Sequence, residues 1–236
     1  MQIQRNQVAD TYEAVFTGVE EDHVAALKDL PEFARVGEYY LLGQEHSEQG
    51  YNASYVYYDS DMMYIARSQM ELVKGELPAQ ANEVAVSEYF LSAYGLGAKI
   101  GKTVRLDTES FHGDYTVTGI LSNVGEKEAN LCAIAISKAA LTQWARFDPA
   151  GYRAYVHFKN DRQLDQEIMA ARCLEIAAQF GSAHVGMNSN YFASISKSID
   201  FVTIFGTLYG VDDIPEAFIN VIKLYEGIFV HTIEKS

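Results

Sequence analysis

The sequence predicts a mixed α+β fold. Three observations carry that expectation. Residues 11–42 read as strand, helix and strand. Residues 51–121 are rich in short alternating strands broken by glycine and aspartate turns. Residues 131–187 return to a strand, helix, strand, helix order. The composition, 48% hydrophobic and 21% charged, is that of a folded globular chain long enough for a sizeable core.

Thr11–Gly18 (TYEAVFTG) alternates apolar and polar residues and ends in glycine, the pattern of a strand. Glu20–Leu30 opens with three acids, which suit the positive end of a helix; Val24, Leu27 and Leu30 share a face, and Pro31 closes it. Val36–Leu42 is a second strand. Tyr51–Tyr58 and Met62–Ala66 read as two more strands around an Asp59–Ser60–Asp61 turn.

Glu83–Val86 is a short apolar strand. Ser87 is placed to cap a helix running to Tyr94, with Gly95 as its stop. Lys102–Asp107 and Asp114–Leu121 form strands joined by a polar turn around His112–Gly113, and Gly119 marks a bulge or a close backbone approach. Leu131–Ile136 is a continuous apolar run, read as a buried strand, and Ser137 caps a following helix to about Arg146. Ala154–Phe158 is a strand. Arg162–Phe180 is the clearest helix, with Leu164, Ile168, Ala171, Leu174 and Ala178 as its apolar face and Gly181 as its end. His184–Met187 is a last short strand. In the tail, Ile214, Phe218, Val221, Ile222, Tyr225 and Phe229 recur at helical spacing, and packing back on the core is the default expectation.

Thirty-two acids against 18 basic residues give a formal charge of −14. With no cluster of Lys and Arg to neutralise phosphates, nucleic-acid binding is not expected. Cys132 and Cys173 sit among apolar neighbours and read as buried free thiols. No run of about 18 apolar residues occurs, the length a spanning helix needs. The N-terminus lacks the apolar core of a signal peptide.

No chemistry-bearing motif survives inspection. Gly95–Thr103 (GLGAKIGKT) imitates a phosphate loop, but Leu96 stands where the first glycine belongs, and the segment opens a strand rather than a helix. Gly95, Gly97 and Gly101 miss the dinucleotide spacing by one residue. The six histidines are scattered, with no two in one helical turn, so no metal ligand pair is expected. Carboxylate clusters at Glu20–Asp22, Asp59–Asp61 and Asp212–Asp213 read as solvated turns and helix starts. No nucleophile elbow is present. Neither catalytic nor cofactor-binding residues are therefore assigned. What does stand out is tyrosine, 16 in all, whose amphipathic ring serves half-buried strands and binding faces alike. Tyr51, Tyr55, Tyr57, Tyr58, Tyr64, Tyr89 and Tyr94 are the candidate partner surface.

The run Gly75–Leu121 resembles the extracytoplasmic core domain of MacB- and FtsX-type ABC transporter permeases. The matching positions are Gly75, Pro78, the block Asn82–Ser87 (NEVAVS), Gly97, Ile100, Gly101, Val104, Leu106, Val117, Gly119 and Ile120. The resemblance extends over residues 10 to about 195 and rests on structural glycines and apolar spacing, not on chemistry. It implies a porter-like βαβ lobe, residues 10–74 with 125–195, into which a smaller, mainly β lobe, 75–124, is inserted. Residues 196–236 are then a C-terminal helical tail with no counterpart in the pattern. It further implies a non-catalytic domain without cofactors, on the extracytoplasmic face of the cell membrane, excised from between membrane helices. Its partners would be a cytoplasmic ABC ATPase acting through the rest of the permease, a second permease copy or subunit, and a peptide, lipid-linked or envelope protein. The competing expectations are a secreted ligand-binding protein and a hydrolase with two carboxylates converging in a cleft.

Overall fold

The computed structural model describes residues 12–67, 70–93, 99–123, 126–159, 165–181 and 183–192. Asp10–Asn188 makes up one compact unit, and Met1–Ala9 with Ser189–Ser236 another. Of the second, residues 189–192 are a helical turn; the tail from residue 196 onward lies outside the described residues, as do Tyr94, Gly95, Gly97 and Leu164.

Ten strands of the first unit share one sheet: β1 (Ala14–Val19), β2 (Phe33–His46), β3 (Asn52–Tyr58), β4 (Met70–Gly75), β5 (Glu83–Ser87), β6 (Thr103–Asp107), β7 (His112–Asn123), β8 (Cys132–Ile136), β9 (Tyr152–Phe158) and β10 (His184–Met187). Their order is β10-β1-β9-β2-β3-β8-β5-β7-β4, with β6 on β7. The helices are α1 (Glu21–Asp29), α2 (Ser60–Ile65), α3 (Glu88–Ala93), α4 (Glu126–Ala129), α5 (Lys138–Gln143) and α6 (Gln166–Ala177). The fold is α+β, as the sequence predicts.

The strands of 75–124 and those on either side of them in sequence meet within this one sheet. Strand β8 is the join: it pairs parallel with β3 on one edge and antiparallel with β5 on the other. Its five residues read as a continuous apolar run because the sheet buries both of their faces, and Ile134 is wholly inaccessible. Strand β7 carries β5 on one edge and β6 and then β4 along the other. Gly119 lies at a close approach of β7 to its neighbours. A Cβ there would come within 2.5 Å of the Glu76 carbonyl oxygen and 2.9 Å of Ala85 Cβ, and the ladder slips a register at this point.

Helices α1 and α6 cover one face. In β9, Tyr152, Ala154, Val156 and Phe158 are buried in alternation. Phe33 packs edge-on to Phe158 at 4.9 Å, and His23 of α1 stacks on Phe180 at 4.7 Å. Helix α2 lies on the other face, seated so closely on β2 that a Cβ at Gly37 would stand 2.7 Å from Met62 Cα.

Three local expectations are corrected. Met62–Ala66 is not a strand: Ser60–Ile65 is helical because Asp59 is its N-cap, its Oδ1 accepting from the Met62 N–H at 2.8 Å. The turn between β6 and β7 is Thr108–Phe111, closed by the Thr108 N–H to the Phe111 carbonyl at 3.1 Å, and Gly113 lies within β7. The long helix is turned away from its expected face. Met169, Cys173, Ile176 and Ala177 are buried, while Ile168 and Leu174 are each 61% exposed. That helix has two apolar stripes, and its Arg172, paired with Glu32 at 2.8 Å, goes with the Met169–Ala177 stripe against the sheet.

Candidate partner surface

Of the seven tyrosines singled out by the sequence, the six that are described do not form one surface. Tyr51, Tyr55, Tyr57 and Tyr58 are core residues, exposed by 0%, 1%, 9% and 3%. The reason is that β3 is covered on both faces. Tyr58 and Val56 point into the apolar cluster under α2, with Met62, Ile65, Ala66 and Leu121. On the opposite face the Tyr55 ring lies 4.3 Å from Phe111, and its hydroxyl is 2.7 Å from the Thr108 hydroxyl. Tyr51 meets Phe90 of α3 edge-on at 5.0 Å. Burial pushes the Tyr51 phenol up to about 12, and pushes those of Tyr55, Tyr57 and Tyr58 further up.

Tyr89 is half-buried on α3, its hydroxyl donating to Asn130 Oδ1 at 3.1 Å. Tyr64 alone of the described set is well exposed, at 42%. Two guanidinium carbons flank its ring, Arg35 Cζ at 3.9 Å and Arg67 Cζ at 4.2 Å from the centroid. Arg67 first, and then Arg35, favour the ionised phenol and hold the Tyr64 hydroxyl below the usual phenol range. Arg35 is paired with Asp61 at 2.7 Å. No carboxylate pairs with Arg67 among the described residues. The arginines went unnoticed in the sequence because Arg35 sits on β2, and only the seat of α2 on Gly37 brings it to Tyr64.

The carboxylates that converge are occupied. Glu38, buried at 5%, accepts from Lys138 at 2.7 Å and Lys28 at 3.4 Å. Lys28 also reaches Asp59 Oδ2 at 2.7 Å, while Asp59 Oδ1 takes the N–H groups of Glu38 and Met62.

A second polar cluster fastens the β6–β7 turn to β2 and to the segment after α5. The Ser110 hydroxyl donates to Glu45 and accepts from Trp144 Nε1 and Arg146 Nη2, both at 2.9 Å. The Ser110 N–H adds a bond to Glu45 at 2.9 Å. A serine oxygen that already accepts two N–H groups is a structural tie, not a nucleophile. Burial works to raise the Glu45 carboxyl, but the Ser110 bonds, with Thr108 and Arg146, outweigh it and hold it below the usual range. Ser47 and Asp107 make a parallel tie one turn away.

Where the first unit begins and ends, the chain is clasped. Asn188 donates from its side chain to the Tyr12 carbonyl at 3.0 Å and from its N–H to the Glu13 carbonyl at 2.8 Å. The wholly buried Glu13 carboxylate accepts the Phe158 N–H at 2.7 Å and sits 2.9 Å from His157 Nδ1. Both cysteines are buried free thiols, as expected, and burial pushes Cys132 up to about 11 and Cys173 up to about 12. No group of side chains suited to a metal ion occurs among the described residues, and no described helix is long and apolar enough to cross a membrane.

With this geometry in view, the fold is that of the extracytoplasmic domains of ABC-type transporters. The periplasmic region of MacB from Actinobacillus actinomycetemcomitans superposes with a TM-score of 0.55 at 12% identity, over 81% of this chain and 95% of that one. The extracellular domain of the noncanonic ABC-type transporter YknZ from Gram-positive bacteria gives 0.54 at 13% identity, over 74% and 98%. A domain of a candidate permease protein from Porphyromonas gingivalis gives 0.52 at 16% identity, over 76% and 90%. No family model and no curated protein matches the sequence.

Proposed function

We propose that this chain is the non-catalytic extracytoplasmic domain of an ABC transporter permease, which binds a substrate or partner and couples to ATP-driven movement of the membrane helices. The observation that carries the reading is the likeness to the periplasmic region of MacB, the extracellular domain of the ABC-type transporter YknZ and a permease-protein domain, each covered over nine-tenths or more of its own length. In this reading residues 10–74 with 125–195 are the porter-like lobe, 75–124 the inserted lobe, and 196–236 a helical tail. The described strands of both lobes lie on one sheet through β8, which supports transmission between the lobes through that sheet. The Asn188–Tyr12 clasp joins its two exits, the points through which motion passes. A cytoplasmic ATPase and a second permease copy or subunit are the indirect and direct partners, and Tyr64 and Tyr89 belong to the outward partner surface.

The test is to read the gene and its neighbours and to tag the domain in intact cells. The expected result is an apolar helix before residue 1, three after residue 236, an adjacent ATPase gene, and a tag reached by antibody without permeabilisation. A reading frame with no membrane helix on either side would overturn the proposal.

A further inference from the structure

We infer that Arg67, with Tyr64 and Arg35, is a docking point for carboxylate side chains of an acidic polypeptide segment. The inference names the partner's chemistry for the surface proposed above and rests on that reading for a partner to exist.

Three observations support it. The first is charge. In a chain of net charge −14, two guanidiniums gather around one ring, and Asp61 pairs with Arg35 alone, so the Arg67 charge is unmatched among the described residues. Folding does not call for this charge: Arg67 is exposed and meets no acid among the described residues. The second is preorganisation. Stacking on Tyr64 fixes the planar guanidinium without consuming all its N–H groups, so little side-chain entropy is left to lose on binding. An exposed tyrosine beside arginines is also the composition of interface hot spots. The third is an example inside the site itself. Asp61 already meets Arg35 at 2.7 Å, the contact a partner's Asp or Glu would repeat on Arg67.

The 236-residue chain is titrated at low salt with a blocked hexaglutamate peptide, following the arginine side-chain NMR signals. Parallel titrations use inorganic phosphate and phosphatidylglycerol vesicles. The expected result is saturable peptide binding, weakened about tenfold or more by Arg67→Glu and partly kept by Arg67→Lys. Arg105→Glu, the same charge change on β6, should leave it intact; Arg105 is exposed and loosely paired with Asp114 at 3.6 Å. Thermal melts check that each variant is folded, and Arg67→Gln replaces a variant that is not. No saturation in the unmodified chain, equal weakening by Arg105→Glu, or tighter binding of phosphate or vesicles than of peptide would each overturn the inference. The permease reading is judged from the flanking gene sequence, so the two fail independently.

Discussion

Tyr58 and Tyr64 stand on either side of Asp59 and meet opposite environments. Tyr58 ends a strand covered on both faces, and burial drives its phenol well above the usual range. Tyr64 sits on a short helix that gives only Met62 and Ile65 to the core, and cations pull its phenol the other way. The lesson is that residue type did not decide exposure here. Asp59 did, by ending the strand and starting a helix whose outer side faces solvent. A tyrosine-rich run thus divides into packing and surface at one capping residue.

This contrast is open to direct attack. The largest effect is expected on the buried side. Tyr55→Ala removes a ring packed on Phe111 and should cost about 3–5 kcal/mol in urea unfolding. A loss below about 1 kcal/mol would mean that the β6–β7 hairpin does not rest on β3. Next comes the tie that holds this hairpin. Ser110→Ala strands the Trp144 and Arg146 donors and should cost about 1–2 kcal/mol. Because the Glu45 carboxyl is held below its ordinary value, its share of stability is present above the unfolded carboxylate range and is lost as pH falls through the folded value. The Ser110→Ala penalty should therefore shrink in acid, as measured by paired melts.

At alkaline pH the two classes of phenol should separate. Raised values mean that the buried tyrosines stay protonated in the fold after the unfolded chain has ionised. Their stability is complete below about pH 10 and declines as pH rises above it. In ultraviolet titration Tyr64 should ionise first and reversibly, while Tyr55, Tyr57 and Tyr58 ionise only with unfolding. Smallest is Tyr64→Ala, expected to change stability by no more than about 0.5 kcal/mol while disordering Arg67, as seen in side-chain NMR signals.

Much of the architecture was written in local signals. Ser87 and Ser137 cap as their positions suggested, accepting from Phe90 and Ala140 at 3.1 and 3.0 Å. The LCAIAI run told of a strand buried on both faces, and Gly119 of a close approach. What went astray did so where two readings shared one pattern. MMYIA suits a strand as well as a helix, and the Asp59 cap decided between them. Arg162–Phe180 offered two apolar stripes, and the pairing of Arg172 with Glu32, far away in sequence, goes with the choice of face. The Tyr64 cluster was half legible. The ring was noticed, but its arginines come from separate elements, and local sequence does not record which strand a helix will rest on.

The central strands also bear on how the chain is made. Both β8 and β9 are synthesised after the strands they separate, β3 from β5 and β1 from β2. A ribosome that has released only the first 130 residues has produced β1, β2, β3 and β5, each with an edge waiting for a partner not yet translated. Such edges invite pairing with other chains. Six of the nine strand pairings can form once β8 is complete at Ile136, but β1 stays apart from the rest until β9 is complete at Phe158, so the sheet closes in two stages rather than strand by strand.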